Sequence, residues 1–150
     1  MVRGPDPSFD ELYRELILDH YRLPRNRGAL EDPDVNLTQH NPVCGDEVTV
    51  TAHVRDGCVI DIGFAGQGCS ISQASASMMT EIVKGKGLHE TNQTAEAFRS
   101  MVRGETDGHD SLGDLLSLQG VSKYPIRVKC AVLAWDTLQK GLEAWSKSGA

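Results

Sequence analysis

At 150 residues and 16.3 kDa the chain has the size of one ordinary domain, long enough to bury most of its apolar surface without staples, and a single domain over residues 1–150 is expected. A net charge of -6 and a pI near 5.3 exclude a phosphate-tracking nucleic-acid surface, which needs a basic excess, and point to a protein partner or a small molecule. No stretch approaches the ~18 apolar residues of a spanning helix and the first eight residues carry no apolar run, so no membrane association and a cytoplasmic location are expected.

Ser8 and Glu11 fit a capping box, and Phe9, Leu12, Tyr13, Leu16, Ile17 and His20 recur at helical spacing, which predicts an amphipathic helix ending before Pro24. His20, at the end of that stripe, reads as a packed or partner-facing residue rather than a ligand. Arg25 to Asp34 reads as a loop. From Val35 to Gly66 the period changes to two: Val48, Val50 and Ala52 alternate with Thr49, Thr51 and His53. Asp56-Gly57 then supplies a hairpin turn before Cys58-Val59-Ile60-Asp61-Ile62. Val35 to Asn41 adds a third strand, closed by Pro42.

After Cys69, one helical face is marked by Ile71, Ala74, Ser75, Met78 and Ile82, and the helix stops at Gly85-Lys86-Gly87. A further helix is predicted over Gln93 to Arg103, then an acidic, glycine-containing loop from Glu105 to Ser122 carrying a short helix around Leu112, Leu115, Leu116 and Leu118. Pro125 opens a last helix with an apolar stripe of Val128, Val132, Trp135, Leu138, Leu142 and Trp145.

Four cysteines in a chain without a secretory signal read as thiols rather than disulfides, which gives weight to metal binding or sulfur chemistry. Cys44 lies in a Pro/Gly turn, whereas Cys69 and Cys130 lie near helix starts, where backbone N–H groups and the macrodipole stabilise a thiolate. Cys69 follows Cys44 by 25 residues and Cys130 follows by a further 61, so these thiols meet only if the fold brings them together. Asp46 reads equally as a ligand or as a turn former, and His40 competes with it for a fourth position. Cys58 reads as a small half-buried strand residue. Arg127 and Lys129 either stabilise a sulfur anion, dock a partner, or are solvated bases on a helix turn. The residues thus define a thiolate site for zinc or iron.

Three blocks carry a resemblance: Asn41-Pro42-Val43-Cys44-Gly45-Asp46, Gly66-Gln67-Gly68-Cys69-Ser70-Ile71-Ser72 with Ala74 to Met79, and Arg127-Val128-Lys129-Cys130-Ala131. In order over most of the chain, together with the opening helix from Leu12 to Tyr21, they resemble the SufU branch of the IscU/NifU-like iron-sulfur cluster assembly proteins. The resemblance implies an α+β fold, a small antiparallel three-stranded sheet packed against helices, with Cys44, Asp46, Cys69 and Cys130 meeting at one exposed edge and holding zinc. It implies a zinc-dependent sulfurtransferase in which Cys44 accepts persulfide sulfur from a pyridoxal-phosphate cysteine desulfurase of the SufS type and passes it toward a SufBCD-type assembly complex. The alternative it leaves is a scaffold that builds a [2Fe-2S] cluster, or holds iron, on the same ligands. Lys129, where the IscU branch has histidine, and the long Glu105 to Ser122 stretch both favour the first.

Overall fold

The computed structural model describes residues 7–43 and 45–148, with side chains from Tyr13 onward. The first helix, α1 (Pro7–Arg22), ends where predicted, and Leu23 N–H closes its last turn on the Asp19 carbonyl at 2.8 Å before Pro24. The expected capping box falls on Ser8 and Glu11, whose side chains lie outside the described residues. Strands β1 (Val35–Asn41), β2 (Asp46–Arg55) and β3 (Cys58–Gln67) form one antiparallel meander in the order β1-β2-β3. Its register runs from Val35 opposite Ala52 to Asn41 opposite Asp46, and from Glu47 opposite Gln67 to Arg55 opposite Cys58. Asp56 (φ 54°) and Gly57 (φ 73°) both take the left-handed conformation, the turn that matches the strand twist and that an Asp-Gly pair accommodates.

The outer edge of β3 is closed by the loop after α1. Gly28 N–H donates to the Phe64 carbonyl at 2.7 Å and Phe64 N–H to the Asn26 carbonyl at 3.1 Å. A free edge that would otherwise template another strand is thereby satisfied within the chain. The same loop is tied to a helix by Arg25 N–H to Ser77 Oγ at 2.9 Å and Asn26 Nδ2 to Thr80 Oγ1 at 3.0 Å.

That helix, α2 (Ser70–Val83), departs from the one-sided stripe expected of it, because residues Ser72 through Thr80 are all buried. A helix buried all round is central rather than peripheral. Its small residues Ala74, Ser75, Ala76 and Ser77 allow close neighbours, and Ser75 Oγ donates to the Ala131 carbonyl of the last helix at 2.6 Å. α3 (Leu88–Val102) begins five residues earlier than the predicted Gln93. Its first turn carries His89, Glu90 and Thr91, which hide the apolar period. Leu88 N–H on the Gly57 carbonyl (2.9 Å) and Thr91 Oγ1 on the Gly87 carbonyl (2.8 Å) anchor it against the hairpin turn instead.

The stretch expected as a loop with a short helix is a 3-10 segment, Asp110–Lys123, kinked at Gly113. It buries Leu112, Leu115, Leu118 and Val121, a spacing of three that is the period of this tighter helix. α4 (Pro125–Lys147) starts on proline as predicted and carries the largest core side chain, Trp135, whose ring centroid lies 5.5 Å from that of Phe98 in α3. The core lies between α2 and α4 and the inner face of the sheet, where Val48, Val50, Ala52, Ile62 and Phe64 are buried. No helix among the described residues is long and apolar enough to cross a membrane.

Candidate functional site: thiols and a buried carboxylate

β2 begins at Asp46 and β3 ends at Gln67, so one end of the sheet carries both Asp46 and the short connection Gly68-Cys69 into α2. Strand alternation puts the two candidate fourth ligands on opposite faces of the sheet. Asp46 lies on the same face as Val48 and Val50 and is 1% exposed, whereas His40 pairs across the opposite face with Glu47 (Nε2 to Oε1, 3.0 Å) in solvent. Among the described residues, one oxygen of Asp46 and the Sγ atoms of Cys69 and Cys130 lie within 4.8 Å of one another, and His40 is not among them.

Cys69 caps α2 at its N-terminus with extended backbone (φ -71°, ψ 168°), so its sulfur sits at the positive end of the helix dipole. Its N–H donates to Asp46 Oδ1 at 2.9 Å. Cys130 comes from the opposite side, buried in the second turn of α4, with Sγ 3.5 Å from the Ile126 carbonyl. Gly68 makes the junction possible. A Cβ there would run into the Asp46 carboxylate and Ser72 Oγ, so the backbone approaches the carboxylate only because no side chain intervenes. Ser72 Oγ in turn donates to the Cys69 carbonyl at 3.2 Å.

The second carboxylate oxygen, Asp46 Oδ2, is buried and has no hydrogen-bond partner among the described residues. A buried acceptor of this kind costs roughly 1–3 kcal/mol, more when charged, unless something satisfies it. Two thiols and a carboxylate are the soft and oxygen donors of a tetrahedral zinc site with bonds of roughly 2.0–2.3 Å, and a cation bound there would complete the orphaned oxygen. The donor set therefore fits a zinc ion, with one further ligand to come.

Cys44, the predicted fourth donor and sulfur acceptor, lies outside the described residues. Its neighbours are placed. Gly45 N–H bonds to the Asn41 carbonyl at 2.9 Å, Val43 N–H bonds to Asn41 Oδ1 at 3.2 Å, and Asn41 is 7% exposed. Asn41 thus shapes both limbs of the turn between β1 and β2, a role the sequence analysis did not single out. Arg127 and Lys129 are exposed on the first turn of α4, and Cys58 is half-buried at the opposite end of β3, away from the cluster. His20 is packed, as expected: it is 1% exposed, with Nδ1 2.8 Å from Ser77 Oγ and Nε2 2.9 Å from Asp114 Oδ2.

A helix-backed three-stranded meander with a thiol-carboxylate cluster at its end defines a small α+β protein with a metal-type site. The chain belongs to the NifU-like N terminal domain family, whose profile matches residues 12–131. It is 47% identical to the zinc-dependent sulfurtransferase SufU of Bacillus subtilis (strain 168), over 90% of this chain and 92% of that one. It is 38% identical to the iron-sulfur cluster assembly scaffold protein IscU of Streptococcus pyogenes serotype M1, over 91% and 86%. Among solved structures, the putative iron-sulfur cluster assembly scaffold protein for the SUF system from Fervidobacterium islandicum AW-1 superposes with a TM-score of 0.80 at 33% identity, covering 85% of this chain and 94% of that one.

Proposed function

We propose that the chain is a zinc-dependent sulfurtransferase of iron-sulfur cluster assembly, with Cys44, Asp46, Cys69 and Cys130 as metal ligands and Cys44 as sulfur acceptor. The observation that carries this reading is a buried carboxylate, Asp46, that offers an oxygen within reach of two thiols and whose Oδ2 has no hydrogen-bond partner among the described residues, an arrangement that a bound cation relieves. The 47% identity to a zinc-dependent sulfurtransferase supports it. When bound, zinc keeps its ligand thiols as thiolates at neutral pH.

The donor is a pyridoxal-phosphate cysteine desulfurase of the SufS type, which presents a persulfide on its own cysteine. The Cys44 thiolate attacks the outer sulfur, a new S–S bond forms on Cys44, and the donor's S–S bond breaks with its electron pair leaving on the donor thiolate. One sulfur changes owner and no external oxidant or reductant is consumed. Asp46, Cys69 and Cys130 hold the site together while Cys44 reacts, and the product persulfide passes to a SufBCD-type assembly complex.

Metal analysis of protein purified without added iron tests the reading. Colourless protein with one zinc per chain, which accelerates desulfurase turnover, is expected. Brown protein containing iron and sulfide would instead assign the site to cluster scaffolding, the activity named for the IscU relatives.

A further inference from the structure

Beside the cysteine cluster runs an open groove that the sulfur chemistry does not use. Two adjoining hollows of about 540 and 430 Å³ share Ile17 of α1, Ser70 and Ile71 of α2, and Lys123 of the 3-10 segment. The floor is apolar, with Ile17 and Ile71 half-buried and packed against the core. The rim is cationic: Arg14 stands on it at one end, Lys123 in the middle and Arg127 at the other. The chain has 21 acidic residues and a net charge of -6, yet none of those acids is among the described residues that line the groove. A basic strip over an apolar floor, on an acidic protein, is a local reversal of the molecule's field and selects for a negatively charged partner.

The position of the groove says which partner. Ser70, in its wall, directly follows Cys69, and Arg127 precedes Cys130 by three residues. A donor protein that brings its persulfide into bonding contact with a thiol of this cluster must cover the surface around it, because a specific interface takes roughly 800 Å² from each partner. A groove walled by Ser70, the residue after Cys69, falls inside such a footprint.

We propose that this groove docks an acidic segment of the persulfide-donating desulfurase, with an apolar side chain seated over Ile17 and Ile71 and carboxylates facing Arg14, Lys123 and Arg127. The proposal rests on the sulfur-transfer reading above and adds to it where the donor is held.

The test uses the full-length zinc protein and a purified SufS-type desulfurase. Arg14→Glu/Lys123→Glu changes the rim without touching a metal ligand, and Lys140→Glu, an exposed lysine on α4 that does not line the groove, makes the same kind of charge change elsewhere. The double variant should bind the desulfurase at least about tenfold more weakly at low salt, with a shallower dependence of affinity on salt, while Lys140→Glu binds as the parent does. Zinc content should stay at the parental value in both. At saturating desulfurase the double variant should still take sulfur onto Cys44, which separates docking from chemistry. Parental affinity and salt dependence in Arg14→Glu/Lys123→Glu, or equal weakening by Lys140→Glu, overturns the groove while leaving sulfur transfer intact. A parental homodimer that the double variant dissociates reassigns the groove to a second copy of the chain and overturns it too. A parent that neither binds the desulfurase nor accepts its sulfur removes the sulfur-transfer reading and the docking proposal together.

Discussion

The two carboxylate oxygens of Asp46 stand in different surroundings. Oδ1 accepts the Cys69 N–H at the start of α2, while Oδ2 is buried without a hydrogen-bond partner among the described residues. Asparagine keeps a side-chain oxygen that can accept the Cys69 N–H but is neutral. Asp46→Asn should therefore leave the metal-free protein within about 1 kcal/mol of the parent while lowering zinc occupancy after dialysis against a weak chelator. Urea denaturation and elemental analysis read the two effects independently, and parental zinc in Asp46→Asn would leave the carboxylate only its hydrogen bond from the Cys69 N–H. Gly68→Ala tests the same junction from the backbone side. The added methyl group meets the Asp46 carboxylate, and displacing it should cost roughly 1–3 kcal/mol and weaken zinc binding together. Cys58→Ala is the contrasting case: in β3 far from the cluster, it should keep full zinc and lose about 1 kcal/mol at most.

At the scale of elements, His20 is a three-way clamp. It joins α1 to Ser77 of α2 and to Asp114 of the 3-10 segment, with the Glu81 carboxylate 3.7 Å from Nε2. Removing the imidazole leaves a cavity under 1%-exposed side-chain space and strips Ser77 of a partner. His20→Ala should cost roughly 2–4 kcal/mol, and hydrogen exchange should rise first in residues 110–123, before the sheet. Uniformly faster exchange would mean that the clamp stabilises the whole fold instead of holding that segment. The elements legible in the sequence were those whose burial follows a simple period: β2 by its alternation, the hairpin by Asp56-Gly57, α4 by Pro125 and its stripe. α3 hid its first turn because the polar residues His89, Glu90 and Thr91 there break the apolar period, although Thr91 is buried with its hydroxyl on the Gly87 carbonyl. Within the stretch Glu105 to Ser122, the expected short helix around Leu112 to Leu118 is the middle of a longer 3-10 segment, whose apolar period of three neither the helical nor the strand template has.

For the molecule as a whole, convergence of the cluster was the part that pattern could not supply. Cys69 and Cys130 are 61 residues apart, and their meeting depends on α2 running through the centre of the fold against α4. What the sequence did carry was the three blocks, each of which lands at a distinct structural device: a strand-joining turn shaped by Asn41, a glycine-backed helix start at Cys69, and the second turn of α4 at Cys130. The resemblance names Asp46, and the opposite faces that Asp46 and His40 occupy on the sheet supply a physical reason the pattern alone did not carry. Because a single ion would tie the sheet end to both α2 and α4, its binding energy is folding energy, and removing zinc with a strong chelator should lower the melting temperature measurably.

The central claim is that this end of the sheet accepts sulfur on Cys44, and a single labelling experiment addresses it most directly. Zinc-loaded protein is incubated with a SufS-type desulfurase and free cysteine, then digested under non-reducing conditions and mapped by mass spectrometry while turnover is followed in parallel. The account predicts one added sulfur on the peptide containing Cys44, faster desulfurase turnover in its presence, and loss of both in a folded Cys44→Ala variant. Sulfur found mainly on Cys69 or Cys130, or turnover indifferent to the protein, would contradict it.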